Sequence, residues 1–448
     1  MSNLRFFFLV MLLVFGIVAC AEDDSVAGAS APTLVVVNTQ YNTTDTNGQA
    51  IGIVPAIDTT AKYVRFAAGR TPVTPQRPLI KDLPLRLTEK AALAGSAARS
   101  ATRAPATITD STTAWTFSAY NAEDTQVSIS ATKRATGTRC YVFVENGEEG
   151  THDWAAVATL FDNQVWTKDT GIFGNPTDVD GNSKVVILYY KMKKNDNSEE
   201  PNILGYFFPG DLITGALPAG VDFSNRMEVF YMNLSFGEPL HSEMQRTLFH
   251  EFQHMINYGQ RRVSADKPEM DIWLNEGLAE SAEHYGLGTP GTSRIESMNT
   301  DSSGYIRNGM PLLVWFGDDA NYGLSYTFVQ YCRLQTGDWN IMTELINHDY
   351  GDYRALEAVV GQKVADLDSF DKLVKGYHLA RLVNGSGIQG FKDENSTFRF
   401  TLRPPTDSLD SFKLMPGGAI FLPVTEANLD GFVASGNGPQ ISFIKHKP

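Results

Sequence analysis

Residues 250–254 read His-Glu-Phe-Gln-His. On an α-helix, His250 and His254 stand four residues apart and project from one face. Two imidazoles so placed make a pair of metal ligands, and Glu251, beside the first, can reach the open side of a bound ion. The flanking residues favour a helix. Met244, Leu248, Phe252 and Met255 form an apolar stripe, Ser242 and Gln245 have the spacing of a capping box, and Gly259 is a stop signal. A zinc ion that hydrolyses bonds takes three protein ligands and leaves one position for water. The third ligand must come from elsewhere in the chain.

Residues 273–280, Trp-Leu-Asn-Glu-Gly-Leu-Ala-Glu, supply it. Glu276 lies 22 residues after His254, a gap that permits a helix end, a turn and a returning helix. Glu280 follows one helical turn later on the same face. It can accept the second N–H of a ligating histidine and fix its tautomer, or replace Glu276 as ligand; spacing does not separate the two. Asn275 can support the other histidine in the same way. His284 reads as a helix-end residue. The pattern with a third histidine six residues after the second is absent, because that position is Gln260.

His-Glu-x-x-His followed by Asn-Glu-Gly-x-Ala-Glu resembles the gluzincin metallopeptidases, with their thermolysin-like catalytic domain. Within that group the chain resembles the hyicolysin-like family of bacterial secreted metallopeptidases. Asp178-Val179-Asp180-Gly181-Asn182, Gly205-Tyr206-Phe207 with Gly210-Asp211-Leu212, and Val229-Phe230-Tyr231 add to the likeness, which covers roughly residues 150–385. It implies a zinc endopeptidase with one Zn²⁺ per chain, His250, His254 and Glu276 as ligands, Glu251 as general base, and proteins or peptides as substrates. It also implies a tyrosine that stabilises the oxyanion. Tyr322, in the stretch Tyr322-Gly323-Leu324-Ser325-Tyr326, stands where zinc aminopeptidases place theirs, with Tyr326 as the alternative. The aminopeptidase segment Gly-x-Met-x-Asn has its counterpart at Asn225-Arg226-Met227-Glu228-Val229, which keeps the Met but neither the Gly nor the Asn. That departure favours endopeptidase action. The strand Met227 to Asn233 is a candidate edge for pairing with an extended substrate. A catalytically inactive, adhesin-like surface binding protein on the same frame is the reading from a different class.

These residues need a frame. The 448 residues are 42% apolar and 20% charged, enough for a buried core and roughly three domains. The net charge of −14 lacks the basic field that binds phosphate backbones, so nucleic acid is not an expected partner. Residues 33–149 read as a β-sandwich built from Leu34–Val37, Tyr63–Phe66, Ala114–Phe117, Val127–Ser130 and Cys140–Val144, with a solvated linker or weak helix from Thr88 to Ala106. Residues 150–390 read as an α+β metallopeptidase domain. It has a helix at His152–Trp166, a turn at Asp178–Asn182 that does not complete an EF-hand, strands at Val185–Tyr190 and Met227–Leu234, and helices from Leu240 to Asn384. Residues 391–448 return to β signals and read as a small C-terminal β domain.

The N-terminus carries an address. Arg5 and an apolar run from Phe6 to Ala19 have the form of an export signal, and Ile17-Val18-Ala19-Cys20 resembles a bacterial lipobox. The resemblance implies removal of residues 1–19, lipid attachment at Cys20 and anchoring in a bilayer. Residues 20–32 serve as a tether. The absence of Asp directly after Cys20 favours the outer membrane or cell surface. Cys140 and Cys332 remain as a pair that an oxidising compartment would let bond, although spacing alone cannot bring them together.

Overall fold

The computed structural model describes residues 32–41, 49–50, 107–218, 220–406, 413–424, 426–431 and 441–448. The expected export signal, Cys20, and the strand and linker expected at Tyr63–Phe66 and Thr88–Ala106 lie outside them. The first strand is β1 (Thr33–Asn38). A mixed sheet follows, containing β2 (Ala114–Tyr120), β3 (Gln126–Thr136) and β4 (Cys140–Glu145). The chain then crosses over through α1 (Trp154–Leu160), a π-helical turn (Phe161–Trp166) and α2 (Thr167–Phe173). It re-enters the sheet as β5 (Val185–Tyr190), β6 (Gly205–Phe207) and β7 (Val229–Asn233). The sheet order is β2-β3-β4-β5-β7-β6. β4 and β7 both run parallel to β5, and the other pairings are antiparallel. A parallel pair needs a crossover, and the helical segment from Trp154 to Phe173 provides it between β4 and β5. Asp153 starts that segment by accepting from the Ala156 N–H at 2.9 Å.

β4 and β5 read as continuous apolar runs because both faces of the sheet are covered. Period two divides their side chains. Val142, Val144, Ile187, Tyr189, Phe230 and Met232 face the helices, against Val157, Phe161, Leu248 and Phe252. Tyr141, Phe143, Val186, Leu188 and Tyr231 face the other way, onto Phe117, Phe208 and Met227.

Beyond the sheet lie α3 (Ser242–Tyr258), α4 (Ile272–Leu287), α5 (Thr292–Thr300), α6 (Asp319–Thr336), α7 (Ile341–Asn347), α8 (Tyr353–Gly361) and α9 (Phe370–Val383). Near the C-terminus are β8 (Ala419–Pro423) and β9 (Ile441–His446). The molecule is therefore α+β, with a mixed sheet and a mostly helical second half. Among the described residues, no helix is long and apolar enough to cross a membrane.

Two expected divisions do not follow the hydrogen bonding. Strands β2, β3 and β4 do not form a sandwich of their own. They are half of the six-stranded sheet, joined to β5 by the parallel register Cys140↔Val185 through Val144↔Tyr189. Nor does β1 belong with them. It lies between β8 and β9, antiparallel to both, with Thr33 opposite Pro423 and His446. The C-terminal β unit thus takes its central strand from the N-terminal part of the chain. The candidate substrate edge moves as well: β7 is interior, and β6 is the outer strand beside it. Cys140 and Cys332 are both buried and free.

Candidate metal centre

α3 begins one residue earlier than the capping-box spacing implies. His241 is the N-cap and accepts from the Glu243 N–H at 3.3 Å, while Gln245 turns back to donate to the Leu240 carbonyl. Gly259 does not stop the helix. It holds helical angles and leads into a π-helical turn (Gly259–Ser264). Its lack of a Cβ serves close packing instead, since a Cβ there would meet Thr177 at 3.1 Å. α4 starts after Asp271 and ends at Gly288, which is left-handed. Gly277, next to the proposed ligand, lets α4 approach α6: a Cβ there would meet Val329 at 2.7 Å and the Ser325 carbonyl at 2.9 Å.

These two helices bring the predicted residues together. His250 Nε2 lies 3.1 Å from Glu276 Oε2, and His254 Nε2 lies 3.4 Å from Glu276 Oε1. The two imidazole centroids are 4.7 Å apart. All three residues are buried, at 5% exposure or less. Four ligands arranged tetrahedrally at zinc bond lengths are separated by about 3.3 Å, so the observed spacings are those of ligand atoms converging on one ion. The donor set, two imidazoles and a carboxylate, is also that of a hydrolytic zinc site. The three residues fit zinc. Burial opposes ionisation of Glu276, but the two imidazoles outweigh it and hold the carboxyl well below its usual range.

Glu251 sits beside them with Oε1 buried and lacking a hydrogen-bond partner. Burial pushes its carboxyl up to about 7, with the two histidines acting in the opposite sense. Phe207, at the end of the outer strand β6, supplies a backbone hydrogen bond that favours the ionised form. A small cleft lined by Phe207, Pro209, His254, Asn257, Tyr258 and Arg262 adjoins the histidine pair.

The supporting residues differ from the expected ones. The oxygen facing His250 Nδ1, at 2.9 Å, belongs to Glu283 and not to Glu280. Glu283 in turn lies 3.6 Å from Arg246. Glu280 is neither a surface charge nor a histidine partner. It is buried and paired with Arg294, whose Nε donates to it at 2.9 Å. Asn275 does not support His254 either. It accepts from Asn257 Nδ2 at 2.5 Å, and His254 Nδ1 is left buried without a partner. Glu283 was legible in principle: Glu276, Glu280 and Glu283 are spaced i, i+4, i+7 on one face of a helix. Asp169, on α2, carried no sequence signal. It is fully buried, both its oxygens lack partners, and burial drives its carboxyl far up against the opposing pull of His250.

Tyr322 and Tyr326 are as buried as His250, His254 and Glu276. The Tyr326 hydroxyl is committed to the Gly291 N–H at 2.8 Å and to His284 Nδ1 at 3.0 Å, which removes the alternative oxyanion donor. His284 is near the end of α4, as expected, but buried. Tyr322 has the Arg294 guanidinium over its ring at 4.6 Å and Trp315 edge-on at 4.9 Å.

The chain is similar to a neutral metalloprotease. Over 277 residues it is 32% identical to neutral metalloprotease ShpI of Staphylococcus hyicus, a stretch that makes up 59% of this chain and 61% of that protein. The chain therefore spans about three fifths of that relative's length. No protein-family model matches it.

Proposed function

We propose that the chain is a zinc endopeptidase of the hyicolysin-like, gluzincin type, with His250, His254 and Glu276 holding one Zn²⁺ and Glu251 acting as general base. The observation that carries the reading is the convergence of two Nε2 atoms on one carboxylate, with the unpartnered Glu251 oxygen beside them. When bound, zinc supplies Lewis-acid polarisation of the scissile carbonyl and lowers the pKa of water toward neutrality.

The chain's own residues do the rest. Glu251 takes a proton from the attacking water at its free Oε1 and returns it to the leaving amine. Burial raises the Glu251 carboxyl, which favours its holding the proton between the two steps. Glu283 orients His250 so that Nε2 faces the metal position. Tyr322 is the proposed oxyanion donor, on its resemblance in sequence position to the catalytic tyrosine of zinc aminopeptidases.

Endopeptidase action is favoured over aminopeptidase action by the sequence Asn225-Arg226-Met227-Glu228-Val229, which lacks the Gly and Asn of the aminopeptidase segment. Glu228 Oε1 is turned to Thr177 Oγ1 and the Val179 N–H, both at 2.8 Å. Export and anchoring of the mature chain through a lipid on Cys20, at the outer membrane or cell surface, complete the proposal.

The deciding experiment is metal analysis beside casein hydrolysis. One zinc per chain and cleavage blocked by phenanthroline are expected. Zinc-free protein without peptidase activity would leave the surface binding protein as the better reading.

A further inference from the structure

Away from the histidine pair, three carboxylates meet at the start of the parallel strands. Asp178, Asp180 and Glu228 each bring one oxygen to within 4.8 Å of the others. Asp178 and Asp180 belong to the bend that leads into β5. Glu228 immediately precedes β7, whose register with β5 is fixed next to it by the Val186 N–H on the Glu228 carbonyl at 2.7 Å.

Like charges do not gather in a buried place without a reason. Glu228 is 2% exposed and Asp180 is 8% exposed. Glu228 Oε1 is satisfied by Thr177 and Val179, but Oε2 is buried with no hydrogen-bond partner. Among the described residues, no ion pair joins a Lys or Arg to any of the three; Lys184, on the same stretch as the two aspartates, is spent on Asp110 and the Gly137 carbonyl. An unpaired buried carboxylate facing two others is costly. Burial raises the Glu228 carboxyl, and burial together with the Glu228 charge pushes Asp180 up to about 7.

We propose that Asp178, Asp180 and Glu228 form a second, structural cation site that takes Ca²⁺, with Glu228 Oε2 as its buried ligand. The donor set is all oxygen, which selects hard cations over zinc. A bend supplying two of the three carboxylates is adaptable, and that suits the variable geometry of Ca²⁺ better than the strict octahedron of Mg²⁺. The ion would fasten the segment from Asn175 to Ser183 to the edge of the sheet. The other side of that segment is already tied to the end of the metal-binding helix: Gln260 donates to the Phe173 carbonyl at 2.7 Å and to the Asn175 carbonyl at 3.2 Å, and Gly259 packs on Thr177. The site is independent of the peptidase reading.

Equilibrium dialysis with ⁴⁵Ca²⁺ on the full chain as purified, with zinc measured on the same samples, tests it. Wild type should bind one Ca²⁺ per chain, with a dissociation constant of about 1 mM or tighter, and should melt at a higher temperature in Ca²⁺ than in Mg²⁺. Glu228→Gln should abolish Ca²⁺ binding while zinc content stays unchanged. Its melting temperature in Ca²⁺-free buffer should equal or exceed that of wild type, because an unpaired buried charge has gone; this separates loss of the site from loss of the fold. Asp178→Asn, at an exposed position, should weaken binding about tenfold or more. Absence of Ca²⁺ binding to wild type up to about 5 mM, or wild-type binding by Glu228→Gln, overturns the proposal.

Discussion

The Nδ1 atom of His250 lies 2.9 Å from Oε1 of Glu283, and this contact decides which nitrogen of the ring faces Glu276. With Nδ1–H donating to Glu283, Nε2 keeps its lone pair for a metal. Glu280, one turn earlier, is committed instead to Arg294. The two glutamates therefore fail differently. Glu283→Ala should weaken zinc affinity about 10–100-fold, as loss of such partners does, with little change in stability. Glu280→Ala should cost about 3 kcal/mol of stability by leaving a buried guanidinium without its main partner, while zinc affinity holds. Chelator competition and urea unfolding on both variants measure the two effects. If Glu280→Ala is the variant that loses zinc, the histidine partner has been misassigned.

The two central glutamates should separate in the same way. Glu251→Gln keeps the side-chain shape and removes the proton acceptor, so zinc should stay near one per chain while casein hydrolysis falls to background. Glu276→Ala deletes a ligand and should lose both, with partial rescue by excess zinc because binding is a mass-action equilibrium. Plasma mass spectrometry of the metal beside the peptidase assay checks this; a Glu276→Ala protein with full zinc would shift the ligand to another carboxylate.

Tyr322→Phe removes one hydroxyl and leaves the ring in place beneath Arg294. If that hydroxyl donates to the oxyanion, kcat should fall about 10²–10³-fold, while KM and zinc content hardly move. An unchanged kcat would assign Tyr322 to packing alone.

Much of the candidate metal site was legible because its signals are local. Helical spacing puts His250 and His254 on one face whatever the rest of the chain does, and the chemistry then asks for a carboxylate such as Glu276. The choice between Glu280 and Glu283 was not local. It turns on Arg294, which arrives on a different helix and claims Glu280. The sheet was misdivided for a similar reason. The strands Ala114–Tyr120 and Gln126–Thr136 are half-exposed as they would be in a sandwich, and although Cys140–Glu145 is a continuous apolar run, nothing within it shows that Cys140 pairs with Val185. The partners of β1 are farther still, with Val35 opposite Phe421 on one side and Ile444 on the other. Strand pairing at such separations leaves no trace in periodicity.

Arg261 is another long-range tie. It is 1% exposed, and its guanidinium donates to the carbonyls of Pro268 at 3.0 Å and of Ile346 and His348 at 2.9 Å. It thereby caps the C-terminal end of α7 from the π-helical turn that follows α3. Arg261→Ala should strand those buried carbonyls and cost about 2–4 kcal/mol, read as a lower urea midpoint with an unchanged slope. A midpoint equal to that of wild type would mean that water replaces the guanidinium at no cost.

Asp211 tests the electrostatics of the sheet's other face. It is fully buried, accepts from Tyr231 Oη at 2.6 Å and from the Asn225 N–H at 2.7 Å, and burial pushes its carboxyl up to about 7 against those hydrogen bonds. For an acid whose pKa is raised on folding, the protonated form suits the native state. Its contribution is therefore complete below the ordinary carboxyl value and is lost as pH rises toward 7. Asp211→Asn stays neutral throughout. Its oxygen can still accept from Asn225, and its amide can donate to Tyr231, whose own proton already has the Ser118 carbonyl at 3.1 Å as an acceptor. The variant should therefore gain on wild type between pH 5 and pH 8, by an amount on the order of 2 kcal/mol. Other buried acids such as Asp180 slope both stability curves equally and cancel in the difference. Urea unfolding of both proteins at the two pH values measures it. Parallel curves would show that Asp211 is already ionised in the native state at pH 5, with Tyr231 and Asn225 compensating its burial in full.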